Sequence, residues 1–327
     1  MGVKIKAFGH FVGDKILGNS ELAERYGITE DWIIERTGIE ERRYFTEGAV
    51  SDMIVKAALD CFAKSAVSVE DIDCVIVATM TPDYYCPSTA AVVHKKLGTN
   101  NAWGFDIMAA CSGYIYAVQL ASALIETKAY KTILVCGADM MSSCIDPFDR
   151  KTVLVLGDGA GVTLLQYSAT ENNILDTVCK LDSTYAMDVN MMVGGSCTPV
   201  TNENIQEGNH YLRFGSKRIF EHGVELMDRV IKEIMIKNNL GFDDIDYIVT
   251  HQSNKRMIEA VAEKFGLPVE KFIINIEHIG NTSAGSVPIA ISEALTTGKL
   301  KGNERLLLAA IGAGFTYGAS LINLNMN

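Results

Sequence analysis

Short apolar runs alternate along the chain with segments whose apolar residues repeat at helical spacing. Residues 74–79 and 246–250 are short, apolar and rich in β-branched residues, which is typical of buried strands. Residues 52–66 and 217–239 have helical periodicity. Strands that alternate with helices predict parallel or mixed sheets covered by helical layers.

The same order of elements occurs twice, at an offset of 173 residues. "EDIDCVIVATMTPD" in the first copy matches "DDIDYIVTHQSNK" in the second, and the offset carries Cys111 onto Ala284. Residues 112–126 and 284–296 are apolar on all sides and contain small residues, which predicts two buried helices. Two copies indicate a duplication rather than a solenoid.

Two such halves would stack their buried helices between two sheets. We therefore predict an α/β fold of five layers, with halves at residues 1–170 and 171–327. The polar stretch "QYSATENN" falls at the boundary, and no linker there is long enough for two independent domains.

Composition narrows the classes of function. The 327 residues are 48% hydrophobic and 21% charged, so a large core is expected. With 29 basic and 40 acidic residues, the net charge of −11 argues against nucleic acid or an anionic membrane as a partner. The apolar run at 306–315 is too short to span a bilayer, and the N-terminus lacks an apolar signal core. We expect a cytoplasmic protein.

Neither the cysteines nor the glycine loops predict a metal or a dinucleotide cofactor. The eight cysteines include no C-x-x-C pair. "LGDGAGV" resembles a dinucleotide loop, but Val162 stands where Gly or Ala is needed and a strand-like segment follows, so we interpret it as a tight strand connection. "IGAGFTYGAS" at 311–320 is either a hairpin or a turn that presents N–H groups to an anion.

Cys111 is the candidate nucleophile. It follows a strand-like stretch and opens a predicted helix, whose N-terminus should lower the pKa of the thiol. His251 and Asn281, from the second half, are expected on the same side of the stack because the duplication relates their turns to that of Cys111. Taken singly, the histidine could be a loop residue and the asparagine a helix cap.

These motifs resemble those of the β-ketoacyl-acyl carrier protein synthase III family, the initiating condensing enzymes of the thiolase superfamily. "AACSG", "HQSN" and "GNTSAGS" surround the three candidate residues, and "WIIERTGI", "DPFDRKT", "GDGAG" and "GAGFTYG" extend the resemblance over nearly the whole chain. The resemblance implies a thiolase-like five-layer αβαβα fold.

The resemblance also implies a mechanism. Cys111 would take an acyl group from acyl-coenzyme A, and the N–H groups of Cys111 and Ala313 would form the oxyanion hole. His251 and Asn281 would stabilise the enolate formed when malonyl-acyl carrier protein loses carbon dioxide. No cofactor is expected, because coenzyme A enters as part of the substrate.

The resemblance assigns further residues to substrate binding. The expected coenzyme A contacts are Trp32, Arg36, Thr37, Arg150 and Asn254. Of these, Trp32 and Arg150 would stack on opposite faces of the adenine.

The resemblance also points to residues for carrier-protein docking and for the acyl pocket, and two of these positions depart from the family pattern. Glu221 stands where many members carry a basic residue for carrier-protein docking, while Arg256 and Lys264 remain basic. Cys86 replaces a bulky aromatic that reaches across a homodimer into the acyl pocket in acetyl-specific members. The remaining residues that match pocket-lining positions are Met141 and Leu156.

Other functions stay open at this point. A related enzyme could form esters, use coenzyme A thioesters throughout, or serve secondary metabolism. A non-catalytic acyl-binding subunit would be expected to have lost one of Cys111, His251 and Asn281, and all three are present. A cysteine hydrolase is disfavoured because no water-activating residue is indicated.

Overall fold

The apolar runs rich in β-branched residues form the strands of two main sheets. The computed structural model describes residues 2–215 and 218–326. The strands are β1 (Gly2–Val12), β2 (Lys15–Gly18), β3 (Glu41–Tyr44), β4 (Cys74–Ala78), β5 (Trp103–Ile107), β6 (Thr132–Met140), β7 (Asp158–Ser168), β8 (Ile174–Leu181), β9 (Val189–Asn190), β10 (Arg213–Phe214), β11 (Tyr247–Thr250), β12 (Arg305–Gly312) and β13 (Thr316–Asn323).

The segments with helical periodicity form helices as predicted. The helices are α1 (Asn19–Tyr26), α2 (Glu30–Thr37), α3 (Val50–Ala63), α4 (Thr89–Leu97), α5 (Gly113–Glu126), α6 (Arg150–Val153), α7 (Asn202–Gln206), α8 (Arg218–Lys237), α9 (Lys255–Phe265), α10 (Ile276–Ile279) and α11 (Ser286–Thr296). The first residue of the segment predicted at 217–239 lies outside the described residues. No helix in the described ranges combines the length and the apolar character that crossing a membrane would require.

The two sheets share one topology. The first has the strand order β1-β7-β6-β4-β5, in which β4 runs parallel to β5 and β6, and β7 runs antiparallel to both of its neighbours. The second has the order β11-β12-β13-β8, with β11 parallel to β12 and the other pairs antiparallel. Strands β11, β12, β13 and β8 thus repeat the arrangement of β4, β6, β7 and β1.

Five layers result from the packing of helices on these sheets. The central layer consists of α5 and α11, whose buried residues share one core with inward-facing residues of both sheets, for example Tyr114, Val287, Ile76 and Leu308. Helices α3 and α4 cover the outer face of the first sheet, and α8 and α9 cover that of the second. The predicted five-layer α/β fold is therefore confirmed.

The 173-residue offset is visible in backbone detail. Helices α5 and α11 begin at Gly113 and Ser286, and each follows a single 3₁₀ turn, Ala110–Ser112 or Ser283–Gly285. The first residue of each turn is left-handed, with φ of 45° at Ala110 and 51° at Ser283. All strands of the first sheet precede residue 169 and those of the second follow 173; the division between residues 170 and 171 itself stays a prediction.

The two glycine-rich stretches differ in structure. The interpretation of "LGDGAGV" as a tight connection is wrong for most of its length, because β7 begins at Asp158 and includes Gly159 and Gly161. A Cβ on Gly161 would lie 2.7 Å from the backbone nitrogen of Ile289, so these glycines let α11 pack against the strand. "IGAGFTYGAS" is a hairpin, with the turn Ala313–Phe315 between β12 and β13.

The close contact between the halves yields a stability prediction. A Cβ on Gly137 would lie 2.3 Å from the carbonyl oxygen of Ala284, so Gly137→Ala should lower the free energy of unfolding by about 1–3 kcal/mol. Gly195→Ala is the matched control, because no atom lies within 4 Å of the added carbon. Urea unfolding measures both variants, and equal stabilities would contradict this account of the contact.

Candidate active site

The turn that precedes α5 presents Cys111 to a cavity. Cys111 lies in the turn Ala110–Ser112, one element earlier than the helix start predicted for it. The Ser112 hydroxyl donates a hydrogen bond to the carbonyl of Ala109 at 2.9 Å, and this bond stabilises the turn. Cys111 is partly exposed, and it faces a cavity of about 300 Å³.

Residues of both halves line this cavity, and most of them are apolar. Its polar and reactive side chains include Cys111, His251 and Asn281, so the structure brings together the three residues that the sequence placed on one side of the stack. The apolar lining includes Met80, Met141, Leu156, Val189, Leu212, Phe214, Phe220, Met257 and Phe315.

His251 follows the last residue of β11 and is only 3% exposed. Its Nδ1 lies 2.8 Å from the Ser286 hydroxyl, and that oxygen accepts a hydrogen bond from the Gln252 N–H at 3.3 Å. The hydroxyl proton is thus available to Nδ1, which favours the tautomer with the imidazole proton on Nε2. Burial lowers the pKa of His251 to about 3, so the ring is neutral at pH 7.

Asn281 is fixed by hydrogen bonds of its backbone and its side chain. Its N–H donates to the Val155 carbonyl at 2.8 Å, and its own carbonyl accepts from Gly157 at 2.9 Å. The side-chain oxygen accepts from the Ser283 N–H at 2.9 Å, and the side-chain amide donates to the Ser253 carbonyl at 3.4 Å. The amide group has two protons, so one remains for a ligand in the cavity.

The expectation of a lowered thiol pKa at Cys111 is wrong for this structure. Burial raises the pKa of Cys111 to about 12, and nearby Asp139 adds to the increase. A hydrogen bond from the Ser283 hydroxyl to Sγ, at 3.4 Å, acts in the opposite direction. The helix-terminus argument left out the loss of hydration on burial, which is the largest cause of the raised pKa here.

The turn after β12 lies against the turn of Cys111. A Cβ on Gly312 would lie 2.8 Å from the Cys111 nitrogen and 2.7 Å from the Ala109 carbonyl oxygen, so this position has room only for glycine. Ala313 follows directly and lines the cavity. The two residues predicted to form the oxyanion hole therefore lie on adjacent turns, while their role stays a prediction.

The predicted coenzyme A residues cluster on α2, α6 and the start of α9. The guanidinium groups of Arg36 and Arg150 each lie 5.3 Å from the centre of the Trp32 ring, so in this structure Arg150 contacts the tryptophan itself. Thr37 is buried, and its hydroxyl donates to the Ile33 carbonyl at 2.7 Å. The Asn254 side chain donates to the Arg36 carbonyl at 3.1 Å.

The remaining predicted residues lie in three places. Met141 and Leu156 line the cavity, whereas Cys86 is exposed and lies outside the lining. Arg256 and Lys264 are exposed on α9, and Glu221 is exposed on α8.

Sequence reasoning missed three residues that support the site. Ser283 contacts the thiol, Ser286 contacts His251, and buried Asp139 accepts a hydrogen bond from the Ala284 N–H at 3.1 Å. Both serines lie inside the "GNTSAGS" motif, which was a usable signal. No sequence signal pointed to Asp139, because its contact with Ala284 joins residues that are 145 positions apart in the chain.

Comparison with known proteins decides the family. The family described as 3-oxoacyl-[acyl-carrier-protein] synthase III matches residues 105–183, and its C-terminal part matches residues 235–324. β-Ketoacyl-[acyl-carrier-protein] synthase III of Koribacter versatilis is 41% identical over 322 residues, 98% of this chain and 97% of the relative. The chain belongs to the β-ketoacyl-acyl carrier protein synthase III family.

Solved structures agree with this assignment. The enzyme of that name from Aquifex aeolicus VF5 is 35% identical, with a TM-score of 0.90 over 98% of this chain and 100% of its own. That from Pseudomonas aeruginosa PAO1 is 29% identical, with a TM-score of 0.91 over 99% of this chain and 98% of its own. The chain thus has the thiolase-like fold, and it is an acyl-transferring condensing enzyme of fatty acid synthesis.

The buried histidine yields a prediction on pH. The pKa of His251 is about 3 in the folded protein and 6.5 when free. Between these two pH values the unfolded chain binds a proton at His251 that the folded protein does not bind. Above pH 6.5 His251 is neutral in both states and does not affect stability. As the pH falls from 6.5 toward 3, proton binding favours the unfolded chain, and the free energy of unfolding decreases.

We expect the free energy of unfolding to drop by about 2 kcal/mol more between pH 7 and pH 5 in the wild type than in His251→Gln. Urea unfolding at the two pH values measures the difference. Parallel pH dependence in the two proteins would show that His251 titrates normally.

Proposed function

We propose that this enzyme transfers an acyl group from acyl-coenzyme A to Cys111 and then condenses it with malonyl-acyl carrier protein. The products are a 3-oxoacyl-carrier protein, free coenzyme A and carbon dioxide, and neither a metal nor a redox cofactor takes part. The observation that carries the proposal is the single apolar cavity shared by Cys111, His251 and Asn281.

In the first half-reaction, Cys111 attacks the thioester carbonyl of the acyl donor. The oxygen of that carbonyl gains negative charge, and the N–H groups of Cys111 and Ala313 stabilise it from adjacent turns. Support comes from the contact of Gly312 with the Cys111 turn, which holds the two turns together. Removal of one such donor typically slows a reaction about 10²- to 10³-fold.

In the second half-reaction, malonyl-carrier protein loses carbon dioxide and leaves an enolate. His251 donates from Nε2–H and Asn281 from its side-chain amide, and both donors are held by hydrogen bonds before the substrate arrives. A neutral imidazole suits this role, because it donates without adding a buried charge. The carbanion then attacks the acyl-Cys111 carbonyl.

The donor binds through its nucleotide and its pantetheine arm. Trp32 and Arg150 flank the adenine, Arg36 holds phosphate oxygens, and Asn254 bonds the pantetheine. The exposed arginines beside an aromatic ring support this role. Because Arg150 lies over the Trp32 ring in this structure, it must move aside when the base enters. Thr37 is buried and donates its hydroxyl proton to the Ile33 carbonyl, so it can hold a phosphate oxygen only if that bond breaks.

The carrier protein docks on the exposed face of α9. Arg256 and Lys264 supply positive charge there, while Glu221 on neighbouring α8 weakens the attraction to an acidic partner. We place the enzyme in the cytoplasm, where its cysteines, all of them free thiols, stay reduced.

Mutation of the three site residues should separate the half-reactions. Cys111→Ala should form no acyl-enzyme with labelled acetyl-coenzyme A, while Cys197→Ala, which removes an exposed cysteine, should label normally. His251→Ala and Asn281→Ala should still acylate but decarboxylate malonyl-carrier protein about 10²- to 10³-fold more slowly. Full labelling of Cys111→Ala, or normal decarboxylation by either of the other variants, would overturn the assignment.

The enzyme works as a homodimer through the free edge of its first sheet. Strand β5 ends the strand order and carries Trp103, which is 42% exposed, and Met108 directly beyond it is 74% exposed. Tyr85 is 86% exposed next to Cys86. A second copy would cover these apolar side chains and the open strand edge. The segment with Cys86 would then reach the partner's acyl pocket.

The size of Cys86 predicts the preferred primer. A cysteine at the end of the channel leaves room for a few more methylenes of the acyl chain than an aromatic side chain would. Each methylene that becomes buried there strengthens binding of the acyl group by about 0.8 kcal/mol, or about fourfold. We expect the wild type to acylate faster with butyryl- or isobutyryl- than with acetyl-coenzyme A, by up to about 15-fold for their two additional carbons, and by up to about fiftyfold for a primer with three. Cys86→Phe should shift the preference toward acetyl.

Intact-mass kinetics with a series of acyl-coenzyme A thioesters measures this preference, and Cys197→Ala is the control. A wild type selective for acetyl, or a Cys86→Phe profile that matches the wild type, would show that Cys86 does not set the channel depth. A monomer by light scattering would remove the basis of the argument.

A second candidate function is priming in a secondary-metabolic pathway. The priming β-ketosynthase of the R1128 polyketide pathway is 28% identical, with a TM-score of 0.90 over 99% of this chain. The exposed Cys86 and the resulting longer primer would suit such a role. The primer preference measured above tests this candidate. A different alternative, an enzyme that uses coenzyme A thioesters throughout, is tested by comparing rates with malonyl-carrier protein and with malonyl-coenzyme A.

A further inference from the structure

Arg42, on β3, is fully buried although its side chain is charged. Its Nε and one terminal nitrogen donate to the Leu154 carbonyl, at 2.9 and 2.6 Å, and the other terminal nitrogen donates to the Asn19 side-chain oxygen at 2.5 Å. In the part of the chain that the structure describes, the acceptors of this guanidinium are therefore uncharged oxygens. Burial lowers the pKa of Arg42 to about 10, so the group is still charged at pH 7.

Stability alone does not explain a charge in this place. Taking a charged group out of water is costly, and the hydrogen bonds of Arg42 go to neutral oxygens rather than to a carboxylate that would offset the cost. An apolar side chain of similar length would fill the same space without that cost. The buried guanidinium therefore indicates a functional role.

Hydrogen bonds connect Arg42 with the backbone of Asn281 through the short segment that follows α6. The segment begins at Leu154, whose carbonyl accepts two hydrogen bonds from the guanidinium. The next carbonyl, that of Val155, accepts from the Asn281 N–H at 2.8 Å, and the Gly157 N–H donates to the Asn281 carbonyl at 2.9 Å. Arg42 thus holds one end of the segment to which both backbone groups of Asn281 are bonded.

The aliphatic part of Arg42 packs against the residue before Asn281. A Cβ on Gly280 would lie 3.2 Å from the Arg42 Cγ and 3.1 Å from the Val155 carbonyl oxygen, so the chain passes close to the arginine here. Gly280 has a φ of 81°, a backbone conformation that favours glycine. A side chain of another shape at position 42 would therefore change the path of the chain into Asn281.

The third hydrogen bond of Arg42 connects it with the chain after α2. Asn19, which accepts this bond, donates its side-chain amide to the Ile39 carbonyl at 2.8 Å and its backbone N–H to the Glu40 carbonyl at 3.2 Å. The guanidinium is thus held on one side by the residues after α2 and on the other by those after α6. A side chain that positions another group must itself be fixed in this way.

We propose that Arg42 is a positioning residue that holds Asn281 where its side-chain amide can donate to the enolate, an inference that rests on the proposed decarboxylation. Arg42 lies outside the cavity lining and acts through segment 154–157 and through Gly280. Displacement of a reacting group by about 1 Å can slow a reaction about 100-fold. Acylation of Cys111 does not use the Asn281 amide, so a change at Arg42 should affect the two half-reactions differently.

Substitution of Arg42 tests this difference. In Arg42→Met we expect release of labelled carbon dioxide from malonyl-carrier protein to be about 10- to 100-fold slower, while single-turnover acylation of Cys111 at saturating acyl-coenzyme A stays within about threefold of the wild type. Arg42→Lys keeps the charge and a donor, so it should decarboxylate at least about threefold faster than Arg42→Met. Arg25→Met is the matched control, because Arg25 is exposed and pairs with Glu21, and both of its rates should equal those of the wild type.

A double-mutant cycle shows whether Arg42 acts through Asn281. Once Asn281 is alanine, Arg42→Met should slow decarboxylation by less than about twofold, because the group that Arg42 positions is gone. Arg42→Lys takes its place in the cycle if Arg42→Met does not fold. The same loss with and without the Asn281 amide would overturn the proposal, as would unchanged decarboxylation in Arg42→Met or equal losses in the two half-reactions.

Hydrogen exchange gives a readout that does not depend on activity. Loss of the Arg42 hydrogen bonds should raise amide exchange about tenfold in segments 154–157 and 279–283 and leave α3 unchanged. Exchange at the wild-type rate in both segments would contradict the positioning role. If exchange rises in these segments but the wild type never decarboxylates malonyl-carrier protein, Arg42 holds Asn281 as inferred and the proposed function is wrong.

Discussion

The active site depends on the close approach of two duplicated turns, Ala110–Ser112 and Ser283–Gly285. They meet where the two central helices begin, and there is no room between them and their neighbours for a side chain at Gly137 or Gly312. This contact places a sulfur from the first half beside a hydroxyl from the second. It also brings residues of both sheets to one cavity, so neither half holds a complete site.

The same burial determines the charges at the site. It raises the pKa of Cys111 to about 12 and lowers that of His251 to about 3, so both groups are neutral in the free enzyme at pH 7. A thiolate–imidazolium pair is therefore not the resting state. The nucleophile must lose its proton as it attacks, and the histidine is suited to hydrogen-bond donation. A neutral thiol and a neutral imidazole both fit an enzyme that forms an acyl thioester on its cysteine and then transfers that acyl group to a second substrate.

Much of this could be predicted from the sequence, because the signals were local or repeated. The 173-residue offset predicted the paired sheets and central helices, and the short motifs predicted that Cys111, His251 and Asn281 would meet. The direction of the change in the thiol pKa was predicted wrongly, because an argument from the helix terminus leaves out the hydration that the thiol loses on burial. Asp139 was missed because its partners come from β4's end and from the second half, which only the folded chain brings together.

The central claim is that one cavity carries an acyl group on Cys111 and then gives it to a second substrate. Intact-mass spectrometry of the wild-type enzyme, first with acyl-coenzyme A and then with malonyl-acyl carrier protein, tests it most directly. The account predicts a mass increase of one acyl group, mapped by peptide analysis to Cys111, that disappears as 3-oxoacyl-carrier protein forms. An adduct on another residue, or one that malonyl-carrier protein fails to discharge, would contradict it.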